Sequence, residues 1–158
     1  MTGRGVYALL LALPAAQQLA IGRLGAFCFP AGYYLYVGSA LGPGGLASRL
    51  ARHGRKEKKL HWHVDYLRAT ARLEQIWALE TGEPLECRWA AAAGALPGAA
   101  IPVPRFGASD CRCPAHLFHY PSRPEASAFA AAAGIFPSQL EMLDCVDEAR
   151  CDETRGVG

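Results

Sequence analysis

Apolar and polar positions alternate with two distinct periods along this chain, and the switches between them mark its elements. Gly5 to Leu13 is a short apolar run containing valine and tyrosine and closed by Pro14, which predicts a strand. Gln18 to Ile21 predicts a second. Gly25 to Phe29 and Tyr33 to Ser39 flank the turn signal Pro30-Ala31-Gly32 and predict two more. Within Tyr34-Leu35-Tyr36-Val37 the period of two sets both tyrosines on one face and Leu35 and Val37 on the other. After the loop Gly42-Pro43-Gly44-Gly45 the period lengthens. Leu46 and Leu50, four apart, predict a helix over 45–54 with an apolar face, and Arg49 and His53 share another of its faces.

Further along, 61–69 predicts a short helix and 72–79 a strand. Glu83 to Ala93 predicts an alanine-rich helix opened by Glu83 and Pro84 and closed by Gly94. Residues 96–108, rich in glycine and proline, predict an ordered loop. His116 to Tyr120 predicts a strand and Phe129 to Ala133 a helix. From Glu141 the chain is acidic and weakly periodic, so a tail over 136–158, partly disordered, is expected after a single domain over 1–135. Strands and helices in this order predict an α+β fold, a small antiparallel sheet flanked by helices.

The 158 residues suffice for one domain with a real core. The apolar N-terminal run is broken by Pro14 and followed by Gln17-Gln18, which argues against a signal peptide. No stretch approaches the ~18–20 apolar residues of a membrane span, so a cytoplasmic protein is the expectation. The net charge of +2 hides an asymmetry. Residues 1–72 carry ten Lys/Arg against two Asp/Glu, and residues 73–158 six against twelve. The basic stretch Arg49, Arg52, Arg55, Lys56, Lys58 and Lys59 suits a polyanion such as a nucleic-acid backbone; a merely solvated helix face is the plainer reading.

The candidate chemistry lies where Gly5-Val6-Tyr7 and Tyr36-Val37-Gly38 precede the basic helix. Two tyrosines on adjacent strands and Arg49 nearby form a set that phosphodiester hydrolysis can use: a phenol to take or orient a water proton, a guanidinium to hold phosphate. His53, one helical turn beyond Arg49, could donate to phosphate or act as acid or base. His61 and Asp65 are four apart, so the carboxylate could orient the imidazole, with His63 directed elsewhere.

Six cysteines do not have the spacing of a small secreted scaffold, and Cys28 and Cys87 read as reduced core residues. Cys111-Arg112-Cys113-Pro114-Ala115-His116 is half of a zinc pattern. Its completion would need His61, His63, His119 or Asp110 brought in by the fold, and Cys145 and Cys151 fit poorly, so the reading is against zinc. The loop is expected instead to send Asp110 or His116 toward the site.

With Tyr7, Tyr36, Arg49 and Glu86, the sequence resembles the GIY-YIG endonuclease superfamily. The longer blocks Tyr36 to Gly42, Arg52-His53, Lys59 to Leu67 and Phe106 to Leu117 resemble one branch, which in some archaeal proteins is fused to a DNA glycosylase of the endonuclease III type. The resemblance spans about residues 4–120. It implies a metal-dependent endonuclease acting on DNA, held through its backbone, in a repair setting with glycosylases as associated partners. It implies Tyr7 as general base or water activator, Tyr36 as the group that positions the water, Arg49 on the phosphate and Glu86 on one Mg²⁺ or Mn²⁺. Glu83 competes with Glu86; Glu86 is preferred because Leu85 and Cys87 bracket it on an otherwise apolar helix. The superfamily's bracing asparagine has no counterpart, since this chain contains no asparagine. The Ser109-Asp110 loop or a histidine would have to replace it. That departure keeps a second reading open, a non-catalytic nucleic-acid-binding module. A third is a zinc-stabilised interaction domain.

Overall fold

A computed structural model describes residues 3–55, 60 and 62–144. Its fold is α+β. Strand β1 (Gly5–Leu13) lies at the centre of a five-stranded antiparallel sheet, between β4 (Gly32–Ala40) and β5 (Arg72–Glu80), with β6 (Leu117–Tyr120) and β7 (Glu141–Asp144) at the edges. A separate hairpin joins β2 (Gln17–Ile21) to β3 (Gly25–Phe29). The helices are α1 (Gly45–Gly54), α2 (His63–Arg68), α3 (Glu86–Gly94) and α4 (Ala126–Ala133).

The alternation along β1 and β4 divides the core into two layers. Tyr7, Leu9, Leu11, Tyr34 and Tyr36 face Leu46 and Leu50 of α1 and Val64 and Leu67 of α2. Val6, Ala8, Leu10, Leu35 and Val37 face Trp89 of α3 and Phe129 of α4. A central strand covered on both faces must be apolar throughout, and β1 is buried at nearly every position.

Three expectations are corrected. Helix α3 starts at Glu86 rather than Glu83, because the Glu83 amide donates to Thr81 Oγ1 (3.1 Å) in the preceding turn. Helix α2 starts at His63, where the buried Asp65 carboxylate accepts the Trp62 amide at 2.8 Å and so satisfies a first-turn donor. The tail expected to fray from Glu141 instead adds β7 to the sheet: Leu143 pairs with Ile76, Met142 with Trp77, and Gln75 Nε2 donates to Asp144 Oδ1. The folded unit therefore runs past residue 135, to at least Asp144. All four β7 residues are exposed, which is why no periodicity betrays the strand. Among the described residues no helix is long and apolar enough to cross a membrane.

Asp65 also closes the gap between α1 and α2. Arg52 donates to both of its carboxylate oxygens, at 2.9 and 2.8 Å, and stacks its guanidinium 4.1 Å from the Trp62 ring centroid. Arg52, one of the candidate nucleic-acid contacts, thus has its planar fork matched to a buried carboxylate. An Arg52→Lys substitution keeps the charge but loses the fork. Urea unfolding is expected to show a loss of about 1.5–3 kcal/mol, the worth of a hydrogen bond to a charged group. An unchanged midpoint would mean that the pair adds nothing to the fold.

Candidate functional site

Tyr7 and Gly38 are directly opposite each other in the β1–β4 ladder, and Tyr36 opposes Leu9, so the two tyrosines are diagonal neighbours on one face. Gly38 is what lets the Tyr7 ring lie down across β4. A Cβ at that position would sit 2.5 Å from the Tyr7 hydroxyl. Gly107 serves the same purpose from the other side. Its φ of +71° favours glycine, and a Cβ there would meet Tyr36 Cε1 at 2.9 Å.

Above these rings is a cleft of about 260 Å³. Tyr7, Tyr36, Arg49 and Glu86 all line it, so four residues far apart in the chain converge as expected. Trp62, Ser109 and Asp110 line it too. Arg49 is positioned twice: Nη1 donates to the Ser39 carbonyl at 2.7 Å, and its guanidinium lies 4.5 Å from the Trp62 centroid. His53 is fully buried, with Nε2 2.7 Å from the Tyr7 hydroxyl. Glu83, the competing carboxylate, does not line the cleft; it is exposed in the turn before α3.

Burial dominates the electrostatics of the tyrosines. Desolvation pushes Tyr7 well above the ordinary tyrosine value, and the neighbouring Arg49 charge offsets only part of that. Tyr36 is raised by the same cause, with Tyr7 itself as the next contributor. Both are neutral phenols at physiological pH.

His63 is a residue whose role the sequence reading missed. It was expected to be directed elsewhere, yet it lines the cleft, and its Nδ1 accepts the Gly107 amide at 2.8 Å. Burial lowers its pKa, which suits a neutral ring acting as acceptor. His61, the preferred candidate, lies outside the described residues, as do Lys56, Lys58 and Lys59. Arg55 is described and exposed.

The loop before β6 holds a second group. Cys87, Cys111, Cys113 and His116 bring their ligand atoms within 4.8 Å of one another, a cluster that could hold a metal ion. The sequence offered only half of such a group; the fourth member is Cys87, at the start of α3, which is exposed and not a core residue, and Cys28 is exposed as well. Burial, followed by the neighbouring Cys87 and Cys111 thiols, pushes Cys113 up to about 12. His116 is almost fully buried and does not line the cleft itself. Its Nδ1 lies 3.0 Å from Glu86 Oε2, and its Nε2 lies 3.4 Å from Cys111 Sγ. Burial pulls its pKa down, but the Glu86 carboxylate and then Cys111 together outweigh that, and the net shift is upward. Asp110 reaches the cleft as expected, whereas His116 reaches it only through Glu86.

Arg105 builds this loop from within. It is the described non-glycine residue with positive φ, 67°. Its guanidinium donates to the carbonyls of Cys113 (2.5 Å), Ala108 (2.5 Å) and Cys111 (2.6 Å).

A family model described as "Domain of unknown function DUF123" matches residues 6–135 of the chain. No curated protein and no solved structure matches it.

Proposed function

Starting from the chain's membership of the DUF123 family, we propose that it is a metal-dependent endonuclease of the GIY-YIG kind, hydrolysing phosphodiester bonds in DNA. The observation that carries this reading is the convergence of Tyr7, Tyr36, Arg49 and Glu86 on one cleft. The 2.7 Å contact between Tyr7 and His53 Nε2 adds a proton path to it.

Each residue has a task that its surroundings support. Arg49, braced by Ser39 and Trp62, presents a fixed cation to a phosphate. A neutral Tyr7 accepts the proton of an attacking water as it passes its own to His53 Nε2, leaving hydroxide to attack phosphorus. Tyr36 orients that water. Ser109 and Asp110 line the cleft, and this loop would stand in for the superfamily's bracing asparagine. The carboxylates of Glu86 and Asp110 fit a hard divalent ion, since Mg²⁺ and Mn²⁺ take one or two carboxylates and keep several waters. Such an ion supplies charge stabilisation for the phosphate and the leaving oxygen. DNA would be held by backbone charge, with Arg55 and the adjoining lysines as contacts, and repair beside an endonuclease III-type glycosylase is the setting the resemblance suggests.

A non-catalytic DNA-binding module is favoured by one specific observation. Glu86 Oε2 is already engaged by His116, which lessens its availability to an ion in the cleft. Labelled duplex, nicked, branched, abasic and single-stranded DNAs incubated with the protein and Mg²⁺ or Mn²⁺ separate the readings. Cleavage that stops with chelator is the expected result. Salt-sensitive binding with no cleavage of any substrate would leave the binding module in its place.

A further inference from the structure

We propose that Cys87, Cys111, Cys113 and His116 bind one zinc ion, and that His116 couples this site to Glu86 in the cleft. The zinc site stands without the nuclease reading; only the consequence for Glu86 depends on the cleft.

The donor set is three thiols and an imidazole, a soft set that suits zinc and not magnesium. Four protein ligands leave no open position, which is the mark of a structural ion. In a tetrahedral site with ordinary Zn–S and Zn–N lengths, neighbouring ligand atoms are about 3.6–3.8 Å apart. Cys111 Sγ and His116 Nε2 are already at 3.4 Å, and all four ligand atoms lie within 4.8 Å, so closing on an ion needs only small side-chain movements. The zinc replaces thiol protons, which leave to solvent.

Two further features are those of a prepared site. Arg105 grips the carbonyls of Cys111 and Cys113 and fixes both residues in a tight loop. The ion would then tie that loop to the start of α3, where the main-chain connection is long. His116 presents one nitrogen to the thiols and the other to a carboxylate, the arrangement by which metal-bound histidines are oriented. That carboxylate is Glu86, which also lines the cleft. Binding of zinc at Nε2 requires the proton on Nδ1, and that proton then faces Glu86 Oε2, 3.0 Å from the nitrogen. Zinc occupancy therefore holds the cleft carboxylate in one orientation.

The test is zinc content and Co²⁺ spectroscopy on the full chain, purified under reducing conditions without chelator. About one zinc per chain is expected, retained when Cys145 and Cys151 are both changed to serine and lost in Cys113→Ser. Metal-stripped wild-type protein titrated with Co²⁺ is expected to develop thiolate charge-transfer absorption and the strong visible bands of a tetrahedral ion. Because this readout needs no variant, misfolding of Cys113→Ser would not obscure it. Glu86→Gln, with all four ligands intact, is expected to weaken zinc binding 10–100-fold. Folded, reduced protein with neither zinc nor the Co²⁺ bands would overturn the site. Zinc lost with Cys145 and Cys151 instead would overturn its location. Unchanged zinc affinity in Glu86→Gln would overturn the coupling. DNA cleavage enters none of these readouts, so the nuclease reading can fail while the zinc site stands.

Discussion

Tyr7→Phe is expected to slow metal-dependent DNA cleavage by about 10²–10⁴-fold, the usual contribution of a positioned acid–base group. The change removes one oxygen from a fully buried ring that fills the space over Gly38. The ring's packing survives, so the loss of stability is expected to be only about 1 kcal/mol. The acid–base argument turns on burial. A solvent-exposed tyrosine could supply a small fraction of phenolate at neutral pH, but desolvation raises Tyr7 well above its ordinary value. Simple deprotonation is therefore a poor way to make it a base. His53 Nε2 at 2.7 Å offers the alternative, since the phenol can give up its proton while it receives one. Tyr7 and His53 then act as a unit, and Tyr7→Phe combined with His53→Ala is expected to be little slower than the worse single variant. Single-turnover cleavage of the best DNA substrate is the measurement. Wild-type rates in Tyr7→Phe would remove the phenol from the mechanism.

The sequence made legible those parts whose period was strong. Strand β1 and helix α1 have the limits that their apolar spacing predicts, because each is packed on at least one face by the core. The same alternation separated Tyr34 and Tyr36 from Leu35 and Val37, and so set both site tyrosines on one layer. Strand β7 was illegible for the opposite reason: it is held by edge pairing and buries none of its residues. The basic stretch was legible as charge but not as partners. Arg52 belongs to Asp65 and Trp62, a pairing created by the α1–α2 packing rather than by local spacing.

The cysteine cluster failed for a third reason. Cys111, Cys113 and His116 announce themselves by proximity in the chain, but Cys87 is more than twenty residues away on another element. The alanine-rich helix it belongs to suggested burial, although its immediate neighbours Glu86 and Arg88 are charged. The informative signal was the adjacent Glu86: at the exposed start of α3, residues 86 and 87 face one loop, one reaching the histidine and the other the thiols. Arg105 left no signal, since an arginine at positive φ has no sequence signature.

Glu86→Gln is expected to lower cleavage at limiting Mg²⁺ by roughly 10²–10³-fold, as for removal of a fixed group that stabilises transition-state charge. Glutamine has the same length and keeps an oxygen that can face His116 Nδ1, so the geometry of the loop is little disturbed. What disappears is the negative charge at the cleft wall. If Glu86 helps to hold the divalent ion, the loss should take the form of a displaced metal dependence: more Mg²⁺ is needed for half-maximal rate, and Mn²⁺, which binds such donors more tightly, restores more activity than Mg²⁺. Asp110→Asn, in the lining of the same cleft, should shift the metal dependence in the same direction. Titrating Mg²⁺ and Mn²⁺ against cleavage rate in zinc-replete protein isolates this role from any effect through His116. A Glu86→Gln enzyme with wild-type rate and wild-type metal dependence would leave that carboxylate as a support for His116 alone, and the ion of the cleft would have to be held by Asp110 and the substrate's own phosphate.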